Sequence, residues 1–106
     1  MPDAFEAYIQ GISHLQNSEL EQAIRAFTEA ITLNPDFAAA YNGRGAARIL
    51  AGDPKKGVSD CDEAIRIAPE EGRFYRTRGL AHKDVGNEAK ANADLTKSEQ
   101  LGFSAE

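Results

Sequence analysis

Apolar residues recur along this chain at steps of three and four, in blocks separated by short polar turns. Ala4, Ala7, Tyr8, Gly11, Ile12 and Leu15 form the first block and predict an amphipathic helix over 4–16. The polar stretch Asn17-Ser18-Glu19 interrupts it, with Ser18 the expected N-cap of the next helix. Leu20, Ala23, Ile24, Phe27, Ala30 and Ile31 mark that second helix. Asn34-Pro35 ends it, because a residue before proline is pushed out of the α region. The pattern then repeats, with a turn at Gly52-Asp53-Pro54 and a stop at Ala68-Pro69. Asp53 is expected to cap a helix that Pro54 opens, where a missing N–H costs nothing. In the third block Gly86-Asn87 makes the turn and Gly102 the stop.

The blocks share one period. Gly11, Gly45 and Gly79 lie 34 residues apart, as do Ala23, Gly57 and Ala91, and Phe27, Cys61 and Leu95. Ala30, Ala64 and Ser98 repeat a second small residue, and Leu33, Ile67 and Leu101 close each unit. A fixed period of this length signals a solenoid, in which one helix–turn–helix unit is copied and stacked. Glycine inside a helix costs about 1 kcal/mol relative to alanine. Three at one position therefore imply a packing reason: a close approach of paired helices that a Cβ would obstruct.

Tyr41, Gly45, Gly57, Cys61, Ala64 and Pro69 of the second unit resemble the tetratricopeptide repeat pattern. The first unit matches it through Gly11, Ala23, Phe27, Ala30 and Pro35, and the third through Tyr75, Gly79, Ala91, Leu95 and Ser98. The departures are Ala7 in place of an aromatic residue, Phe103 in place of proline, and His14, Arg48 and His82 where the family often has tyrosine. The resemblance implies an all-α fold, a right-handed α-solenoid of three antiparallel helix pairs. The repeats cover roughly 4–37, 38–71 and 72–105, making 1–106 a single domain. It also implies binding of another protein, without fixing one activity. Where Ile31 and Ile65 become Glu99, the last helix turns polar, as a terminal repeat requires, so the array is expected to end there.

A net charge of −5 hides a gradient. Residues 1–37 carry −5, residues 38–71 carry −1, and residues 72–106 carry +1. One cysteine excludes an internal disulfide, and no apolar run nears the ~20 residues of a membrane span. The acidic N-terminus lacks the features of a signal peptide, so the expected location is cytoplasmic.

Catalytic chemistry finds no constellation. Cys61 occupies the packing position of Phe27 and Leu95 and reads as a buried structural thiol. His14 and His82 stand two repeats apart, ~20 Å at neighbouring-helix spacings of ~8–10 Å, too far to share a zinc. Asp60, Asp62 and Glu63 are spaced around a helix and read as a solvated face. No catalytic residue, metal ligand or cofactor is expected. Arg44, Arg48, Arg73, Arg76, Arg78 and Lys83 make a backbone-tracking patch conceivable, but the acidic total argues against nucleic acid.

In the family the first helix of each unit lines a concave groove. Carried onto this chain, the lining is Phe5, Tyr8, Ile9 and Ile12, then Ala39, Asn42, Ala46 and Ile49, then Arg73, Arg76, Thr77, Leu80 and Lys83. Such a groove runs from apolar to cationic and suits a segment with apolar anchors at one end and acidic groups at the other. One family branch binds chaperone C-terminal carboxylates through a basic clamp. Its positions here hold Tyr8, Ile12, Gly43, Arg73 and Thr77, of which Arg73 alone fits, so chaperone-tail binding is not expected. The expectation is a non-catalytic adaptor for a peptide or helical segment of a partner protein. The alternative is a self-associating module, a homo-oligomer.

Overall fold

A computed structural model describes residues 2–103, and these form six helices and no strand. The helices are α1 (Ala4–Gln16), α2 (Leu20–Leu33), α3 (Ala38–Leu50), α4 (Pro54–Ile67), α5 (Gly72–Asp84) and α6 (Glu88–Gln100). Starts are fixed by short acceptors. Asp3 takes the Glu6 N–H at 2.8 Å, Asp53 the Lys56 N–H at 3.3 Å, and Asn87 the Lys90 N–H at 3.2 Å. Pro54 opens α4 behind Asp53, as its spacing predicts.

Ser18 does not cap α2. Its φ is +60°, and Glu19 takes the N-cap position without a side-chain cap bond. The reason lies in the helix behind it. Closing α1 needs a left-handed residue, so that the Ser18 N–H reaches the Leu15 carbonyl at 3.0 Å and the Glu19 N–H the His14 carbonyl at 2.8 Å. Gly52, Gly86 and Gly102 close α3, α5 and α6 in the same way, at φ between +81° and +92°. Only Ser18 does so while carrying a Cβ. α2 and α4 end differently, on extended Asn34 before Pro35 and on Ala68 before Pro69.

Each helix packs on its successor, pairing α1 with α2, α3 with α4 and α5 with α6, and stacking the pairs in chain order. The close approach expected at the repeated glycines is present. A Cβ on Gly45 would lie 3.0 Å from the Gly57 carbonyl oxygen, and one on Gly79 would lie 3.3 Å from the Ala91 carbonyl oxygen. Gly11 serves another purpose. A Cβ there would fall 2.6 Å from the Phe27 ring, and so would one on Gly43 of the next unit. Phe27, fully buried, is thus held between two glycines from α1 and α3, at the centre of a cluster with Ala7, Ala23, Ala30, Ala40 and Ala47. Tyr8, Ile12, Leu15 and Phe37 pack around it. In the third unit Ser98 replaces the alanine of this register, and its buried hydroxyl finds no partner among the described residues.

Two substitutions separate backbone strain from packing. Ser18→Gly is expected to raise stability by about 1 kcal/mol, through release of the left-handed penalty. Gly43→Ala, which drives a methyl into the Phe27 ring, is expected to lower it by roughly 1–3 kcal/mol. Urea midpoints of the two variants against wild type read both signs.

Candidate functional site

Curvature decides which face is available. α1 touches α3 and α3 touches α5, whereas α2, α4 and α6 make no contact with one another. The first helices therefore form the inner wall of the stack and the second helices its splayed outer wall. Phe5, Tyr8 and Ile12 follow one stripe of α1, and Asn42, Ala46 and Ile49 the matching stripe of α3. Arg73, Arg76, Leu80 and Lys83 follow that of α5, all at helical steps of three and four. Ile9 and Thr77 sit instead at the helix position equivalent to Gly43, which meets Phe27 of the preceding unit, and so lie off the inner stripe.

Along the wall the environments differ. Phe5 is 62% exposed, and Ile9 and Leu80 are exposed as well. Tyr8 is half-buried, its ring 5.0 Å from Phe37, 5.8 Å from Phe27 and 6.5 Å from Phe5. It therefore wedges the joint between units one and two while bordering the wall. Ile12 packs on the same cluster. Asn42 Oδ1 lies 4.0 Å from Cys61 Sγ, which donates to it, and Ile49 covers Gly57. Thr77 donates its hydroxyl to the Arg73 carbonyl at 3.0 Å. Arg73 makes one long contact to Glu71 at 3.4 Å, while Arg76 and Lys83 pair with no carboxylate among the described residues.

The remaining cations of the first helices are committed inward, and this corrects the reading of Asp60 as solvated. Asp60 is 3% exposed. Arg44 grips it with two nitrogens, Nη2 at 2.8 Å and Nε at 3.1 Å, and Arg48 adds Nη1 at 2.8 Å. Arg44 Nη1 also reaches Thr28 Oγ1 of the preceding unit at 3.2 Å. The arrangement recurs 34 residues on. Arg78 holds Asp94 through Nε and Nη2, each at 2.8 Å, and reaches back to Asp62 through Nη1 at 2.9 Å. The bonds to Asp94 push the Arg78 pKa further up. Even the aromatic contact repeats, Arg44 over Tyr41 at 5.6 Å and Arg78 over Tyr75 at 5.5 Å. Arg44, Arg48 and Arg78 are thus bound to carboxylates and contribute no free charge for a phosphate backbone.

Behind this network, between α4 and α6 and floored by α5, lies a cavity of about 390 Å³ lined by Val58, Asp62, Arg78, His82, Lys90 and Asp94. His82 stands 3.7 Å from Asp94 at the place where Arg48 meets Asp60, while His14 bonds Glu19 at 2.9 Å in another unit. The two histidines serve separate local pairs, and among the described residues no three His, Cys, Asp or Glu side chains converge as metal ligands. Cys61 is fully buried. Desolvation, then the neighbouring Asp60 carboxylate, pushes its thiol up to about 12 from an ordinary 9.0. No helix among the described residues is long and apolar enough to cross a membrane.

A family model described as tetratricopeptide repeat matches residues 8–72. Tetratricopeptide repeat protein 36 of Danio rerio is 33% identical over 98 residues, covering 89% of this chain and 52% of that protein. The chain thus spans about half the length of this curated relative. Among solved structures, the TPR2B domain of yeast Sti1, in complex with pHsp70, superposes with a TM-score of 0.89 at 28% identity, covering 92% of this chain and 78% of that one. The Sgt2 TPR domain from Aspergillus fumigatus reaches a TM-score of 0.93 at 22% identity over 99% of this chain and 72% of its own, a likeness of fold.

The buried and exposed pairs predict different costs. Asp60→Ala strands two guanidinium groups and is expected to lose about 3 kcal/mol of stability. Glu63→Ala removes the partner of the exposed Arg66 and is expected to leave the denaturation midpoint nearly unchanged. Chemical denaturation reads both. The Cys61 thiol is protonated in the fold well above pH 9.0, so its linked stability is present below that value and falls as pH rises toward about 12. A thiol reagent at mildly alkaline pH is expected to label the native chain at least about tenfold more slowly than the urea-unfolded one.

Proposed function

The chain belongs to the tetratricopeptide repeat family, and from that premise we propose that it is a non-catalytic adaptor whose inner wall holds a segment of a partner protein. The observation that carries the reading is the division of the cations. Three arginines of the first helices are bound to buried carboxylates, whereas Arg76 and Lys83, on the inner stripe of α5, have no such partner among the described residues. At the opposite end of the wall stands the exposed Phe5. A bound segment would set its apolar anchors against α1 and its acidic groups against α5. The TPR2B domain of Sti1, similar in fold and 28% identical, is solved in complex with pHsp70, which supports a protein partner for this chain. The proposed setting is the cytoplasm, where a lone thiol remains reduced.

Selection from a library of extended peptides tests the reading. Selected segments are expected to carry Leu, Ile or Phe toward one end and Asp or Glu toward the other. The double variant Arg76→Glu, Lys83→Glu is expected to lose about tenfold or more in affinity for them, with unchanged helicity and a shallower salt dependence. Phe5→Ala is the matching apolar probe, since Tyr8 also supports the fold through Phe27 and Phe37. Full affinity in the double variant would refute the assigned surface.

A further inference from the structure

The joints between units keep one register. At the first, Phe27 of α2 lies against the Gly43 position of α3, and Thr28 meets Arg44. At the second, Asp62 of α4 meets Arg78 of α5. Positions three or four apart share a helix face, so the same antiparallel register sets Ile31 beside Ala40 and Ile65 beside Phe74. Ile31 and Ala40 belong to one apolar cluster, and Phe74 is buried. Both internal joints therefore combine a polar pair with an apolar contact one turn away.

Carried one step further, this register matches the outer face of α6 with the outer face of α1 in another copy. Leu95 would oppose Ile9, Thr96 would oppose Gln10, and Glu99 would oppose Glu6. Leu95 is half-buried and the other five are exposed. The first pair is apolar, like Phe27 against Gly43. The second supplies a hydroxyl and an amide, as Thr28 and Arg44 supply a hydroxyl and a guanidinium. The third breaks the pattern by placing two carboxylates where the internal joints place apolar side chains.

We propose that these faces are a matched head-to-tail contact between copies of this chain, held apart at neutral pH by the repulsion of Glu99 against Glu6. The occupant is a second copy because the contact continues an interface already formed twice within the chain. It leaves the inner wall free, so the inference is independent of the groove reading. Each added copy would lengthen that wall by three units.

Light scattering over a concentration series at neutral pH tests the contact by charge exchange. Glu99→Lys turns the repelling pair into an attracting one, and lysine in the last turn of α6 suits the helix dipole, so the fold is kept. The expected result is a mean mass that climbs with concentration to at least double that of the wild type, which stays monomeric. The double variant Glu6→Lys, Glu99→Lys restores repulsion and is expected to return to the monomer. Monomeric Glu99→Lys with native helicity would overturn the proposal. So would a double variant, or a wild type, that assembles as strongly as the single variant.

Discussion

Gly45 and Gly57 face each other across α3 and α4 so closely that a Cβ on either would lie 3.0 Å from the other's carbonyl oxygen. That separation governs the rest of the stack. At this crossing the paired backbones meet through small residues, Gly45, Gly57 and Cys61, and bulk enters a pair where a facing glycine makes room, as Ile49 does against Gly57, Leu95 against Gly79 and Phe27 against Gly11. Bulk and charge also occupy the joints between pairs. There Phe27 fills the first joint, and the guanidinium of Arg78 bridges α4, α5 and α6 at the second. The small positions thus determine the places at which a large or charged residue is tolerated.

The units hold their paired helices together with different chemistry. Unit one holds Gln10, Ala26 and Ala7 at the positions of Arg44, Asp60 and Tyr41, so it has no internal arginine–aspartate grip and relies on the buried ring. Units two and three bury a carboxylate instead. A buried carboxylate is tolerable when every lone pair is met, and Asp60 accepts three short guanidinium bonds. The sorting of cations into bound and free follows from this packing requirement. It leaves Arg76 and Lys83, on the inner stripe of α5, without a carboxylate partner among the described residues.

The helices, their pairing and the glycine contacts were legible because apolar spacing and a fixed period are properties of the sequence itself. Cys61 was legible for the same reason, standing where Phe27 and Leu95 stand. Asp60 was not. A charged residue on a helix reads as solvated unless its partners are known, and Arg44 and Arg48 come from a different helix. A signal did exist, since Arg44 and Arg78, Asp60 and Asp94, and Tyr41 and Tyr75 all keep the 34-residue step. Ser18 misled for a related reason. A serine ahead of a helix resembles a cap, whereas Gly52 and Gly86, 34 and 68 residues on, mark its place as a left-handed closure. Tyr8 shows why groove membership is hard to read from spacing. The same ring borders the inner wall and fills the joint beneath it.

Because the helix pairs stack in chain order, the fall in negative charge from the first unit to the third is, among the described residues, also a gradient in space. The molecule is an electric dipole along its stacking axis, and the sign change falls near the boundary between units two and three. An approaching segment with one acidic and one apolar end experiences a torque before it touches anything, over roughly the 8 Å Debye length of physiological salt. On the groove reading proposed above, its acidic end would be drawn toward α5 and repelled from unit one, and the polarity of binding would be selected during encounter rather than by trial in the groove. The direction in which a ligand lies would then be a kinetic property of the array, set by the unequal charging of its three units.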